Sequence, residues 1–394
     1  MRRLAATILF AIVALSGAAL RAEDRKPFAI GYLEITDDPR YAERRGYTGV
    51  QLWTRYRPVD GAETAIRDSK VLGRALGLNL SLTRAEAPDA EGLATQARQM
   101  LAKDGVRFFL VDAASDVLLT LADALAGEDA LLFNIAEPDD ALRRKNCRRN
   151  LMHVLPDRSM LADALVQYLV AKSWRNVLVL RGPLPEDTVL ARAFAASAHK
   201  FGAKIVATRD FVLSNDPRER DQNNIVLLTG APDYDVVFLA DSDGEFGRYV
   251  PYQTGRPRPI VGSEGLIASA WDWSWERHGA PQLNQRFDRT AARRMQDMDW
   301  AAWAAVKAVL EAASRTGGAD FAAIDAYLRG PELTLDAYKG TPSSFRPWNN
   351  QLRQPILLHT HDATIARAPL PEFLHQRDTL DTLGIDEPES TCRF

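Results

Sequence analysis

Short unbroken apolar runs alternate with longer segments of helical period from residue 27 onward. The runs lie at 29–33 (AIGYL), 108–111 (FFLV), 131–133 (LLF), 177–180 (VLVL), 205–207 (IVA), 236–239 (VVFL) and 260–261 (IV). Unbroken rather than alternating runs mark strands buried on both faces, as in parallel sheets. Between them, Leu161, Leu165, Tyr168 and Leu169 share one helical face, with Asp157 or Ser159 able to cap its start. Leu190, Ala193, Phe194 and Phe201 form a second stripe, closed by Gly202. Trp300, Trp303, Val306 and Leu310 form a third, between Asp299 as a cap and Gly317-Gly318 as a stop, and its tryptophans read as core packing. Strand–helix alternation of this kind predicts an α/β fold, and a chain of 394 residues predicts two doubly wound parallel-sheet lobes joined by a hinge. Polar residues at 139–146 suggest one break, and the stretch 262–275 a second. Residues 369–394 are acidic and aperiodic, a tail that needs tethering.

The first residues stand apart from this rhythm. Arg2 and Arg3 precede a short apolar run, and small Ala22 precedes the charged residues 23–26. That is the pattern of a secretory signal peptide over 1–22, shorter than a membrane span. The expected location is therefore the periplasm, with the mature chain not embedded in a membrane. Cleavage would remove three arginines and no acid, taking the formal charge from −3 to −6. A net acidic chain argues against nucleic acid as a partner. With apolar content of 46% and charged content of 26%, the remainder has an ordinary globular balance.

Two cysteines, Cys147 and Cys392, are present, and in an oxidising compartment an even pair suggests a disulfide. Neither lies in a C-x-x-C motif. The chain contains no G-x-S-x-G, H-E-x-x-H, Walker A or G-x-G-x-x-G sequence, so neither an enzyme nor a cofactor is expected. His359 and His361 are the one close histidine pair, without a third ligand nearby in sequence.

Several stretches in order resemble the type I periplasmic binding proteins, the branched-chain amino-acid receptor class of ABC importers. DGAETAI at 60–66 with VLG at 71–73 resembles that family's first helix and following turn. GVRFFLV at 105–111 resembles the strand leading to the first ligand loop, and 153–169 the crossing into the second lobe. Residues 235–240 and 261–266 resemble later second-lobe strands. The resemblance implies one lobe from 23–152 with 268–338 and another from 153–267 with 339–368. It also implies a monomer that binds a small ligand between lobes and delivers it to a permease. The segments RYAERRGYTG at 40–49 and ESTCRF at 389–394 look characteristic of a subfamily encoded beside PQQ-dependent alcohol oxidation systems, which implies service to periplasmic quinoprotein dehydrogenases.

In open α/β sheets ligands bind beyond the carboxyl ends of the strands. The residues predicted there are Glu34, Asp38, Asp112, Ser115, Asp116, Asn134, Glu137, Asp187, Asp241, Asp243 and Glu264, with Trp271 as an aromatic surface for stacking. Only Ser115 keeps the small hydroxyl of the amino-acid receptors; the rest are largely acids, which would repel a carboxylate. If these acids converge, the cleft favours a cation, and a calcium, lanthanide or metal-chelate ligand becomes the alternative to a small organic one. The opposing reading makes them helix caps, or partners of Arg40, Arg44, Arg45 and Arg248. A ligand-sensing receptor without transport shares every one of these features.

Overall fold

A computed structural model describes residues 25–394 except Tyr47 and Trp53, and the backbone alone of Arg220. The expected signal peptide lies outside the described residues. Among the described residues no helix is long and apolar enough to cross a membrane.

The first parallel sheet grows from β1 (Lys26–Ile35). After a long loop come α1 (Val59–Asp68), α2 (Lys70–Ala75), β2 (Leu78–Ala87), α3 (Ala90–Asp104), β3 (Phe108–Asp112), α4 (Ser115–Ala124), β4 (Leu131–Asn134) and β5 (Leu151–His153). The strand order is β2-β1-β3-β4-β5, all parallel. Every residue of β3 and β4 is buried, as unbroken apolar runs require. Strand β2 has no such run because it is an edge: its sequence LNLSLTRAEA alternates, and its outer positions stay in water.

The second lobe contains α5 (Arg158–Ala171), β6 (Asn176–Arg181), α6 (Pro185–Phe201), β7 (Lys204–Asp210), α7 (Ile225–Leu228), β8 (Val236–Ala240), α8 (Val250–Gln253) and β9 (Ile260–Gly262). Its parallel sheet runs β7-β6-β8-β9. Asp157 caps α5 by accepting a bond from the Met160 amide at 2.8 Å. Gly202 ends α6 with φ of 76°, a conformation that favours glycine.

Strand β10 (Ile267–Ser269) brings the chain back. It leads to α9 (Ala280–Ala291), α10 (Asp297–Thr316) and α11 (Phe321–Arg329), which cover the first sheet, with α1 packed along α10. Asp299 sits at the third position of α10 rather than at its cap, and its carboxylate accepts from the Gln296 amide at 2.8 Å. Trp300 and Trp303 are fully buried, as expected. Each removes about 150–250 Å² from water, roughly 4–6 kcal/mol as an upper figure. A short hairpin, β11 (Ser344–Phe345) with β12 (Leu352–Arg353), precedes β13 (Ile356–His359) and β14 (Thr364–Ala368). β10, β13 and β14 form an antiparallel sheet against α5.

The lobes are joined by three crossings, which the packing places near 153–157, 269–270 and 353–356. Residues 139–146 are not a linker, because β5 follows them in the first sheet. Phe345 and Leu352 pack in the first core, and along β13 Leu357 does so too while Ile356 and Leu358 pack in the second. The first and third crossings are hydrogen-bonded side by side. Gln351 Nε2 donates to the carbonyls of His153 and Leu155 at 3.2 Å each, and Gln354 Nε2 to that of Val154 at 2.6 Å.

The tail is held by buried Leu380, Leu383 and Ile385 and by a set of polar bonds. Buried Arg346 pairs with Asp381 at 2.8 Å and donates to the carbonyls of Leu380 and Leu383. Lys200 reaches Asp163 at 2.8 Å and the carbonyls of Thr382 and Gly384. Covered by the tail, α5 buries Asp163 and Gln167 on the side away from its apolar stripe. Cys147 and Cys392 form a disulfide across 245 residues.

Candidate ligand cleft

The carboxyl ends of β1 and β3 place Glu34 and Asp112 side by side in register. Two buried carboxylates on neighbouring strands need cations, and two chain segments supply them. Arg57 and Arg84 bond the two oxygens of Glu34 at 2.8 and 2.7 Å. Asp112 accepts from Tyr41 at 2.6 Å, Arg40 at 3.0 Å and Tyr32 at 3.2 Å. Burial holds the Asp112 carboxyl above the usual range, opposed by Arg40 and these hydroxyls. Asp38 chelates Arg40 through both oxygens and accepts from its amide at 2.9 Å, which caps the turn Pro39–Tyr41. Burial tends to raise Asp38, but the Arg40 bonds hold it below the ordinary value.

The loop that carries Arg40 continues as a finger. Arg45 pairs with Gln51 across an antiparallel bridge, and the Gly46 amide donates to the Val50 carbonyl at 2.9 Å. Its tip reaches the second lobe after β8. Thr48 donates its amide at 3.1 Å and its hydroxyl to the fully buried Glu245. A β-carbon at Gly46 would overlap that carboxylate, so any larger residue here must push the Glu245 side chain aside. Arg44 stands 4.0 Å from Asp243. Asp241 ties its own loop to the backbone. Asp241 accepts from the amides of Gly244 at 3.0 Å and Gly247 at 2.6 Å, and burial raises both Asp241 and Asp243 above the carboxylate range. Asp187 accepts from the amides of Ser242 at 2.6 Å and Leu184 at 2.9 Å, tying two loops at the sheet edge.

The other predicted positions are spread along the same edges. Ser115 donates to Asp139 at 3.0 Å, and Asp116 is exposed in the first turn of α4. Asn134 shapes its own turn by accepting from the Glu137 amide at 2.9 Å. Glu137 accepts from the Asp139 amide and lies 3.8 Å from Arg158, and burial raises its carboxyl. Glu264 bonds the next amide at 3.1 Å. Trp271 is in the core, stacked on Trp300 at 6.3 Å with its indole donating to Asn284. Arg45 pairs with Glu43 and Arg248 lies 3.9 Å from Glu245. Among the described residues no three of His, Cys, Asp and Glu are placed to hold a metal ion together. His359 lies 3.3 Å from Asp272, and His361 is exposed.

A cavity of about 310 Å³ opens at the base of the finger, lined by Pro39, Arg40, Ala42, Arg44 and Arg55. Arg40, Arg57, Arg84 and the tyrosines Tyr32 and Tyr41 are the members of this region that the run of strand-end acids conceals. The signal for them was present: five arginines fall between residues 40 and 57, beside a strand edge rich in acids.

Two such lobes, with sheet orders 2-1-3-4-5 and 7-6-8-9 and three crossings, define the fold of the type I periplasmic binding proteins. A family model described as periplasmic binding protein matches residues 58–246. Among solved structures, the chain is similar to a branched-chain amino acid ABC transporter periplasmic ligand-binding protein from Burkholderia xenovorans LB400, with 16% identity, 86% of this chain and 95% of that one covered, and a TM-score of 0.66. An ABC transporter substrate-binding protein from Sphaerobacter thermophilus aligns at 15% identity, 87% and 98% coverage, and a TM-score of 0.68. A solute-binding protein of an ABC transporter from Rhodopseudomonas palustris BisB5, in complex with 3,4-dihydroxybenzoic acid, aligns at 12% identity, 86% and 97% coverage, and a TM-score of 0.62. The sequence matches no curated protein.

Proposed function

We propose that this chain is the periplasmic substrate-binding component of an ABC importer, that it captures a small molecule between its lobes, and that it serves a PQQ-dependent alcohol oxidation system. The observation that carries the binding role is the meeting of strand-end loops from both sheets, through the finger 44–52 and the loop after β8, beside a cavity of ligand size. The family match across both lobes and the transport roles of the similar structures support the same reading. The likeness of residues 40–49 and 389–394 to the PQQ-associated subfamily supports the link to alcohol oxidation. A bare metal ligand finds little support in the placement of the acids, since most of the strand-end carboxylates, Glu34, Asp38, Asp112, Asp187 and Asp241 among them, are taken up by arginines and backbone amides. Binding, not catalysis, is the proposed activity.

The test measures small-angle scattering of the mature protein with leucine, 3,4-dihydroxybenzoate and a panel of alcohols and their acid products. Growth on alcohols of a host lacking the gene is followed in parallel. Compaction with one panel member and a growth defect on the matching alcohol are expected. A radius unchanged by every compound overturns the binding role, and normal growth on all alcohols overturns the link to PQQ-dependent oxidation.

A further inference from the structure

We propose that the tail is a strap between the lobes, fixed to the second lobe at residues 382–384 and to the first by the Cys147–Cys392 disulfide, and that it limits how far the lobes part. This rests on the lobes moving as the binding role requires, but not on which ligand closes them. A tail that only covered one lobe would bond to that lobe alone, whereas this one alternates between the two. Asp381 takes Arg346 and Arg353 of the hairpin β11–β12, at 2.8 Å each, and that hairpin packs in the first core through Phe345 and Leu352. The next residues turn to the second lobe. Lys200 of α6 donates to the carbonyls of Thr382 at 3.1 Å and Gly384 at 2.9 Å, Gln167 of α5 to the Thr382 hydroxyl at 3.1 Å, and the Gly384 amide donates to Asp163 at 2.7 Å. Ile385 returns to the hairpin, where its carbonyl accepts from the Trp348 indole at 3.2 Å. Cys392 then ends on Cys147, in the turn before β5 that Asn150 ties to the Ala122 carbonyl of α4 at 2.9 Å.

The strap passes through the hinge rather than over it. Gly384 has φ of 77°, and a β-carbon there would lie 2.7 Å from Met160 of α5, 3.4 Å from Arg346 Nη1 and 3.5 Å from Asp157 Oδ1. The first crossing and the hairpin before the third thus close around one residue of the tail. Parting the lobes has to drag or break the buried pair of Arg346 and Asp381, and a buried charge stripped of its partner is strongly unfavourable. The disulfide decides which happens. An untied chain end frays, but an end held covalently keeps its broken bonds at high effective concentration, so they form again. It also sets a ceiling. Eight residue steps separate Gly384 on the second lobe from Cys392 on the first, and fully extended they span at most about 26–29 Å.

The experiment compares the ligand-free mature chain with Cys147→Ser/Cys392→Ser and with Lys200→Gln. All three also carry Glu245→Ala, which removes the Thr48 contact that otherwise holds the lobes together. Spin labels at the exposed positions Glu91 in α3 and Arg192 in α6, one in each lobe and attached without cysteine chemistry, report the distance between lobes by pulsed electron resonance. A freed tail enlarges the scattering radius even where the lobes stay put, so the label distance is the deciding readout. The expected result is a shift to longer and broader distances in the serine pair, a smaller shift in Lys200→Gln, and less than their sum when the two are combined, because both release one path. A label distance unmoved in the serine pair, with its circular dichroism intact, overturns the strap and leaves the tail a cover for α5. If the serine pair does not fold, Lys200→Gln with the disulfide in place decides by the same criterion. The binding role is read separately, by ligand-driven compaction of the parent, so it survives a failed strap, and the strap survives a panel of silent ligands.

Discussion

Removing the carboxylate of Glu245 should open the molecule. In the structure this group is fully buried between the lobes and accepts the amide and the hydroxyl of Thr48, which reach it from the opposite lobe. A bond to an ionised acceptor contributes about 1.5–3 kcal/mol net. When the lobes part, Glu245 and Thr48 both regain water, so the pair is worth about one such bond rather than two. Glu245→Ala should thus shift the closed-to-open ratio by about 10- to 150-fold. If closure is required for tight binding, the apparent affinity for any cleft ligand falls by up to the same factor. Gly46→Ala tests the contact from the other side, because its new β-carbon would overlap the same carboxylate. Scattering of both variants should give a larger radius than the parent, while their denaturation midpoints stay close to it, since neither change touches a lobe's core. A radius unchanged in both, with folding intact, would refute the latch.

Three other outcomes follow from groups away from the finger. Asp157 is buried at the first crossing, and burial, reinforced by Asp140, pushes its carboxyl to about 6. A carboxyl raised on folding binds a proton that the unfolded chain releases, so its contribution is full below about pH 4 and is lost as pH rises to 6; denaturant titrations should show stability falling across that window by up to roughly 3 kcal/mol, and Asp157→Asn, which keeps an acceptor for the Met160 amide, should flatten the slope. Asp381→Asn leaves Arg346 buried with its charge uncompensated and should cost about 3–5 kcal/mol in urea unfolding, whereas a loss under 1 kcal/mol would mean that the tail is held elsewhere. Asp241→Ala strips the acceptor from two amides after β8 and should cost about 1–3 kcal/mol, with a melting temperature that chelator and added calcium leave unmoved in both parent and variant.

The fold was legible mainly in the apolar runs of the two parallel sheets. The seven apolar runs are all strands, six of them largely buried in their sheets and the seventh, in β7, a half-exposed edge. Strand β2 escaped this test because it is an edge with a wet side, and β13 and β14 because they lie in a small antiparallel sheet under the tail. The crossing into the second lobe was legible in the cap of α5, but the last crossing was not: residues 339–352 carry polar side chains that are buried in specific hydrogen bonds, such as Gln351, and polarity alone reads as a linker. At the cleft the sequence displays its acids plainly and hides their partners. Arg84 meets Glu34 because β1 and β2 run in parallel register with Tyr32 beside Arg84 and Glu34 beside Glu86, and Arg57 meets it from the loop before α1.

The disulfide has a consequence for damage as well as for stability. It closes a covalent circuit through both lobes from Cys147 to Cys392. A protease that cuts once anywhere inside that circuit, for example at the exposed turn Pro217–Asn223, makes two pieces that remain one molecule. The second sheet is then shared between the pieces, β6 and β7 on one and β8 and β9 on the other, so a nicked copy can go on holding its shape. The scar becomes visible only under reduction, when a single band on a denaturing gel resolves into two.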